Sequence, residues 1–465
     1  IYSLYLRALG ARIGRGTVIQ ARPVPVCADL LTIGDNALVR KDSLINCYRA
    51  NAGWIELGPV TIGADAVIGE LTVLDIDTSV GDGAQLGHQS ALDAGQSVPP
   101  GERWVGVSAH ERVEVDAADV DPIPGSARRR FLYPIFQLAI LFGLTLPIGT
   151  AIAMTLAEWQ ISGAEQLENH TVQWDSALLY EEVLAFSLVL FAVLIAFRLF
   201  LATMLPRLFR RAIRPGTVYP LFGWRYGLHR LIQRFTNARF FPRLLGDSSY
   251  IVHYLHLLGY DVSFEEQTGS NFSQTIKQDN PYAVSVGPGT MVADVISLIN
   301  ADYSTTSFRV SQLSIGANSF YGNSIAYPAN AKTGDNCLHA SKVMVPVDGE
   351  VRHGVGFLGS PSFEIPRSVF RDVELAEPKD ARGRPKRLGA KNRHNLVTIG
   401  WFLVTRFIGI AGAVGLFLAA ADVYPRFGGF AFAASTFTGL VAGTLYLILV
   451  ERASVGFKRL VPLSC

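Results

Sequence analysis

Glu70 and His88 stand eighteen residues apart, and Asp335 and His353 repeat that spacing later in the chain. An acid beside a histidine orients the imidazole and raises its basicity. That is the arrangement of a general base in acyl transfer, where the ring takes a proton from an attacking nucleophile. Glu70 and His88 are therefore the candidate catalytic pair, and Asp335 and His353 a second pair suited to substrate binding. Asp77, close to His88 in sequence, is a carboxylate able to hold a substrate ammonium. These roles require a chain geometry that brings positions eighteen apart together.

The stretch VGDGAQLGHQSAL (Val80 to Leu92) supplies one. Steps of six from Ile62 land on Ile68, Leu74, Val80, Leu86, Leu92, Val98 and Trp104, all apolar. The next residue is mostly Gly or Asp, and four residues after the stops stand Ala66, Thr72, Thr78, Ala84 and Ser90. A helix repeats at 3.6 residues and a strand at two, so a period of six is neither. It is the hexapeptide pattern of a parallel β-helix, in which three hexads make one triangular coil. Positions eighteen apart then share a column, with strands roughly 4.8 Å apart. Glu70 is predicted to stack under His88 at a corner, with Gly106 above. Asp335 and His353 share a corner column on a different face. Asp75 and Asp93 occupy the Gly/Asp position and read as structural. His339 takes an inward stop, where a neutral, hydrogen-bonded core residue is expected.

The same ruler works again after a shift of 253 residues, which maps Ile62 to Ile315 and Val80-Gly81-Asp82 to Thr333-Gly334-Asp335. SLIN occurs at Ser43 to Asn46 and again at Ser297 to Asn300. An internal duplication accounts for both. The second copy is less regular and carries Asn323 and Ser341 in place of Glu70 and His88. The segment from Asn46 to Trp54 reads as a loop thrown out of the first coil.

Phe131 to Ala157 has no charged residue and is long enough to cross a bilayer; Val183 to Leu205, interrupted only by Arg198, is a second span, and Leu396 to Ala421 and Gly429 to Val450 form another pair. Hydrophobic residues make up 49% of the chain, in keeping with membrane segments. Arg128 to Arg130, Arg207 to Arg214, Lys386 to Arg393 and Arg452 flank one side, and the loop from Glu158 to Glu182 is acidic. The positive-inside rule then makes each pair a hairpin with both β-helices in the cytoplasm. Arg406, inside the third span, is expected to snorkel toward an interface. The connector from Arg207 to Arg243 is rich in Arg and aromatics and has no acid, as an interfacial helix on an anionic leaflet would be. A net charge of +2 and the lack of a recognisable fold signature argue against nucleic acid. The four cysteines show no metal spacing and read as reduced thiols, and no metal site is expected.

The expected organisation is a first left-handed β-helix at 1–112, a linker at 113–127 and a transmembrane hairpin at 128–206, spanning at 131–157 and 183–205. A basic connector at 207–247, a second left-handed β-helix at 248–370 and a charged linker at 371–393 follow. The last parts are a second hairpin at 394–452, spanning at 396–421 and 429–450, and a cytoplasmic tail at 453–465. The chain begins with Ile and reads as part of something larger.

The repeats resemble hexapeptide-repeat acyltransferases, including their closing elements GERWVGVSA (Gly101 to Ala109) and FLGSPS (Phe357 to Ser362). That resemblance implies a His base and a thioester donor. With the hairpins included, VLDIDTSVGDGAQLGHQSAL (Val73 to Leu92) and RKDSLINCYRA (Arg40 to Ala50) are similar to the C-terminal membrane region of the ε-poly-lysine synthetase family of nonribosomal peptide synthetases. WVGVSA departs from that family's W-H-G-S-P-A. The resemblance implies upstream adenylation and carrier domains, with ATP used by the first and 4'-phosphopantetheine borne by the second. It also implies a bacterial-type cytoplasmic membrane, and amide bonds formed between carrier-bound aminoacyl units and free amines to make a poly(amino acid). Its partners would be those domains, membrane lipids and the amino acid or growing polymer, with the tandem β-helices packed as a pseudo-oligomer or homo-oligomer. Two other readings remain open at this point: a membrane-tethered acyltransferase using acyl-CoA, and a non-catalytic structural or export module.

Overall fold

The structure is a computed structural model that describes residues 2–21, 23–111, 120–147, 149–151, 154, 177–246, 248–264, 275–367 and 384–457. The predicted linkers at 113–127 and 371–393, the loop from Glu158 to Glu182 and the tail at 453–465 each fall partly outside these residues. Two compact units form, one from residues 1–134 with 201–395 and the other from 135–200 with 396–465.

In the first unit the six-residue period becomes a three-sided coil of parallel strands. The first face stacks Arg12–Ile13, Leu31–Ile33, Val60–Ile62, Thr78–Val80 and Ser97–Val98. The second stacks Val18–Ile19, Leu38–Val39, Val67–Ile68, Gln85–Leu86 and Arg103–Val105, and the third Leu44–Ile45, Val73–Leu74 and Ala91–Leu92. Ile68 pairs with Leu86, Leu74 with Leu92 and Val80 with Val98. These side chains meet on the axis and are at most 1% exposed. Each turn between faces needs one residue in the left-handed region. Asp65, Leu71, Asp77, Gly83, Gln89, Gly95 and Gly101, six apart, all have φ between +52° and +80°. The excursion after Ile45 is an antiparallel hairpin, Tyr48–Asn51 with Trp54–Leu57, on which Trp54, Ile55 and Leu57 are exposed.

The second repeat builds the same prism. Its faces contain Val284–Val286, Leu313–Ile315 and Lys332–Thr333; Met291–Val292, Phe320–Tyr321 and Leu338–His339; and Ile276–Gln278, Ile296–Leu298 and Ile325–Tyr327. Its own hairpin, Ala301–Tyr303 with Ser307–Val310, is buried. Phe308, Val310 and Tyr303 pack against Val18 and Leu38 on the outside of the first prism's second face. The connector helix Trp224–Thr236 joins the same core through Tyr226 and Ile232, with His229 and Gln233 also buried. This corrects the reading of the connector as a lipid-surface helix: protein occupies its apolar face.

The second unit is helical. Among the described residues four helices are long and apolar enough to cross a membrane: Ala127–Ala151, Ala177–Ala212, Pro385–Tyr424 and Gly429–Ala453. Within that unit Phe191 meets Phe407 at 6.0 Å, and the Tyr446 hydroxyl donates to the Thr405 carbonyl at 2.6 Å. Arg406 lies over the Phe402 ring, 5.2 Å from its centre.

Candidate active site between the two repeats

His88 and Glu70 do share a corner column, between the second and third faces, but the contact between them differs from the expected one. The Glu70 backbone N–H donates to His88 Nδ1 at 2.9 Å. The Glu70 carboxylate points instead to Arg40, at 3.0 Å, and to Lys41, at 3.7 Å. The reason is local. A corner leaves one backbone N–H without a strand partner, and the side chain one coil later accepts it. Asp82 does this for Ala64, Asp335 for Ala317, Ser341 for Asn323 and His353 for Asp335. His88 is one of this series.

That bond sets the ring's chemistry. With Nδ1 accepting, the neutral ring carries its proton on Nε2 and presents a donor. Burial, with Arg40 and Lys41 alongside, lowers the His88 pKa to about 3, so the ring stays neutral. Arg40 Nη1 lies 3.5 Å from His88 Nε2, too long for a sound bond and facing a proton. The sequence reading made His88 a base oriented by a carboxylate; the structure makes it an Nε2–H donor oriented by a backbone N–H.

The remaining expectations separate from this place. Asp77 is a left-handed corner residue between the third and first faces, exposed and at a different edge of the prism from His88. Asp335 and His353 stand at an exposed corner of the second repeat, where Asp335 accepts from Ala317 N at 2.6 Å and His353 Nδ1 accepts from Asp335 N at 3.0 Å. Both serve the backbone. His339 is inward and neutral, its pKa lowered to about 4 by burial. It stacks between Tyr321 and Phe357, and neither ring nitrogen has a hydrogen-bond partner, contrary to expectation.

Four residues that sequence reasoning passed over complete the site. Lys41 pairs with Asp279 of the second repeat. Asp279 also accepts from Gln233 Nε2 at 2.6 Å and from Ala301 N at 3.3 Å. Arg40 Nη1 meets Asp302 Oδ1 at 3.4 Å, its Nη2 donates to the Ala301 carbonyl, and its guanidinium lies over Tyr303. Arg40, Glu70, Asp279 and Asp302 are each at most 5% exposed. Burial lifts the Glu70 carboxyl to about 7 against the pull of Lys41 and Arg40. Burial also works upward on Asp279, but Lys41 and His229 outweigh it and hold that carboxylate below its usual range. Arg40 and Lys41 open RKDSLIN, and Asp302 follows the second SLIN. That shared motif was the signal available.

Beside this cluster a cavity of about 170 Å³ opens between the prisms. Arg40, His88 and Trp104 of the first repeat and Asp302, Pro328 and Met344 of the second are among the residues that line it. Gln89 Nε2 donates to the Ser324 carbonyl at 2.9 Å, and Val107 N to the Ser360 carbonyl at 3.0 Å. These bonds fasten the His88 corner to the second repeat. Among the described residues no group of three or more His, Cys, Asp or Glu could hold a metal ion.

No protein-family model matches the chain. Over 378 residues it is 21% identical to the delta-poly-L-ornithine synthetase of Acinetobacter baumannii (strain AB307-0294), a match covering 79% of this chain. The chain covers 27% of the length of that curated relative. Solved structures similar in part include a hexapeptide-repeat acetyltransferase from Vibrio cholerae. It is 24% identical, covering 22% of this chain and 61% of that one, with a TM-score of 0.21. A maltose O-acetyltransferase from Clostridium difficile 630 is 16% identical, covering 24% and 75%, with a TM-score of 0.20.

Proposed function

We propose that this chain is the membrane-embedded, amide-forming region of a poly(amino acid) synthetase. It joins a carrier-borne aminoacyl thioester to a free amine in the cavity between the two repeats. The observation that carries this reading is the His88 ring, fixed through Nδ1 by a backbone bond, in the lining of a cavity built from both prisms. The likeness to a poly-ornithine synthetase supports the polymer chemistry. The cavity walls fit the donor: apolar Pro328, Ala329, Met344 and Val345 suit a thin amide chain ending in a thioester.

The amine nitrogen attacks the thioester carbonyl carbon. A C–N bond forms, the C–S bond breaks, and sulfur departs as a thiolate that takes the proton given up by nitrogen. The products are an amide and a thiol. His88 Nε2–H donates to the carbonyl oxygen as that atom gains charge, and it needs no protonation to do so. The donor arrives already activated by adenylation elsewhere, on a phosphopantetheine arm. The four apolar helices cross the membrane as two hairpins, and the Arg and Lys flanks keep both prisms on the cytoplasmic side.

The test supplies the chain with an aminoacyl-loaded carrier and an amine, and measures amide. His88→Ala is expected to lower turnover about 10²–10³-fold, the usual cost of one such donor. His88→Gln, whose amide can accept from Glu70 N–H and still donate, retains more. No amide from the loaded carrier, or equal use of a free acyl-CoA, would overturn the reading in favour of an inert module or a general acyltransferase.

A further inference from the structure

We infer that the end of the helix Ala177–Ala212 forms, with the second repeat, a binding site for the phosphate of an anionic lipid headgroup. A pocket of about 510 Å³ opens there, and it shares no residue with the transfer cavity. Arg210, Arg211 and Arg214 line it together with Gly259, Asn280 and Tyr282, and no acidic residue does. Among the described residues none of the three guanidinium groups has a hydrogen bond or an ion pair. The floor of the pocket is fixed. Arg207 donates to the Leu257 carbonyl at 2.8 Å, which ties the end of the apolar helix to the helix Ile251–Leu258. The Tyr282 ring lies against Gly259, where an added Cβ would stand 2.2 Å from its Cε1. Asn280 is 3% exposed; its N–H and carbonyl are both engaged by the Asn300 amide, and its Oδ1 accepts from Tyr282 N at 3.1 Å. Its Nδ2 donates to none of the described residues, yet it is not among the atoms closed off from solvent.

Three like charges around one pocket repel one another, and an anion replaces that repulsion with charge-assisted hydrogen bonds. Guanidinium forks match phosphate oxygens in pairs, and a tetrahedral phosphate accepts from several directions at once, the Asn280 amide included. A soluble phosphate shares this chemistry, but the place favours a lipid. Arg210 is five residues beyond Leu205, where the apolar run ends. That is about 7–8 Å of helix, close to the thickness of one headgroup layer. Basic pockets at the cytoplasmic ends of spanning helices are where anionic headgroups bind. A headgroup held here joins the end of the helix to the second repeat, since the arginines come from one and Asn280 and Tyr282 from the other. The site rests on that helix crossing the membrane, and not on the amide chemistry.

The test is binding of a fluorescent phosphatidylglycerol to the whole chain in detergent, with unlabelled competitors. Phosphatidylglycerol is expected to displace the probe at least tenfold better than phosphatidylcholine, and at least a hundredfold better than glycerol 1-phosphate. The triple variant Arg210→Gln, Arg211→Gln, Arg214→Gln should bind the probe at least tenfold more weakly. Lys386→Gln, Arg387→Gln, Arg393→Gln removes three exposed cations from the flank of the third span and should bind within twofold of the wild type. Thermal unfolding identifies any variant that fails to fold. Where the triple variant fails, Arg211→Gln alone decides, with an expected loss of at least threefold. An equal loss in the flank variant, or equal displacement by phosphatidylcholine, would overturn the site in favour of general attraction to the leaflet. Displacement by glycerol 1-phosphate as good as that by the lipid would overturn the lipid source and give the pocket to a soluble phosphate. Binding needs no carrier and no amine. Lipid selectivity without amide formation would therefore sink the transfer reading and leave this one standing, and the reverse result would do the opposite.

Discussion

At the scale of single residues, Glu70 is the group whose protonation should be readable. Its folded pKa, about 7, lies above its unfolded value near 4.5. The folded state therefore binds that proton more tightly, and the stability it contributes is fully present below about pH 4.5 and lost as pH rises through about 7. Lys41, Arg40, Asp279 and Asp42 are the charged groups facing it. Glu70→Gln should flatten this part of the stability-against-pH curve, an effect on the order of 3 kcal/mol from the size of the shift. Thermal melts at about pH 5 and pH 8 check it, and an unchanged slope in the variant contradicts the assignment. His88 should behave oppositely. As a neutral donor it contributes no limb to the pH–rate profile between about pH 6 and 8, so wild type and His88→Gln should show the same shape there. A limb that disappears in the variant would restore the role of base.

At the scale of the coil, corner geometry holds His88 in place. A Cβ on Gly69 would sit 2.6 Å from the Gly87 carbonyl carbon and 2.7 Å from His88 N, both backbone atoms that cannot swing aside. Gly69→Ala should push the His88 corner away from the second repeat and cost about 1–3 kcal/mol. Gly95 offers the control: its φ is +80°, yet nothing lies within 4 Å of an added Cβ. Gly95→Ala should cost about 1 kcal/mol of backbone strain and leave turnover near wild type. Melting temperature and amide yield measured together separate the two cases. The six-residue period was legible at this scale because each inward aliphatic depends only on its own hexad. The hydrogen bonds at the corners were not, since a column fixes which Cα atoms stack and not where a carboxylate turns.

At the scale of the molecule, Asp279 ties the first prism to the second repeat and to the connector helix, through Lys41, Ala301 N and Gln233. Asp279→Ala leaves Lys41 and Arg40 facing too little negative charge in a buried place, and breaking such a pair costs about 3–5 kcal/mol. The measurements are a large fall in melting temperature and earlier protease cleavage in the hairpin near Tyr303. A variant as stable as the wild type would show that the junction of the prisms does not depend on Asp279. This junction also explains what the eighteen-residue ruler missed. The first hairpin lengthens one coil, so that Leu38 pairs with Val67 and Lys41 comes to lie beneath Glu70. Counting back eighteen from Glu70 reaches Ala52, on the exposed hairpin.

By itself the sequence determined the coiled prisms, their duplication and the four long apolar helices, because each is written in a local period or a local run of apolar residues. Only the tertiary structure decided which groups surround His88. Its partners arrive from a coil of unequal length and from a hairpin more than two hundred residues away. The direction of each buried carboxylate is set by competition among cations and N–H groups that share no sequence spacing.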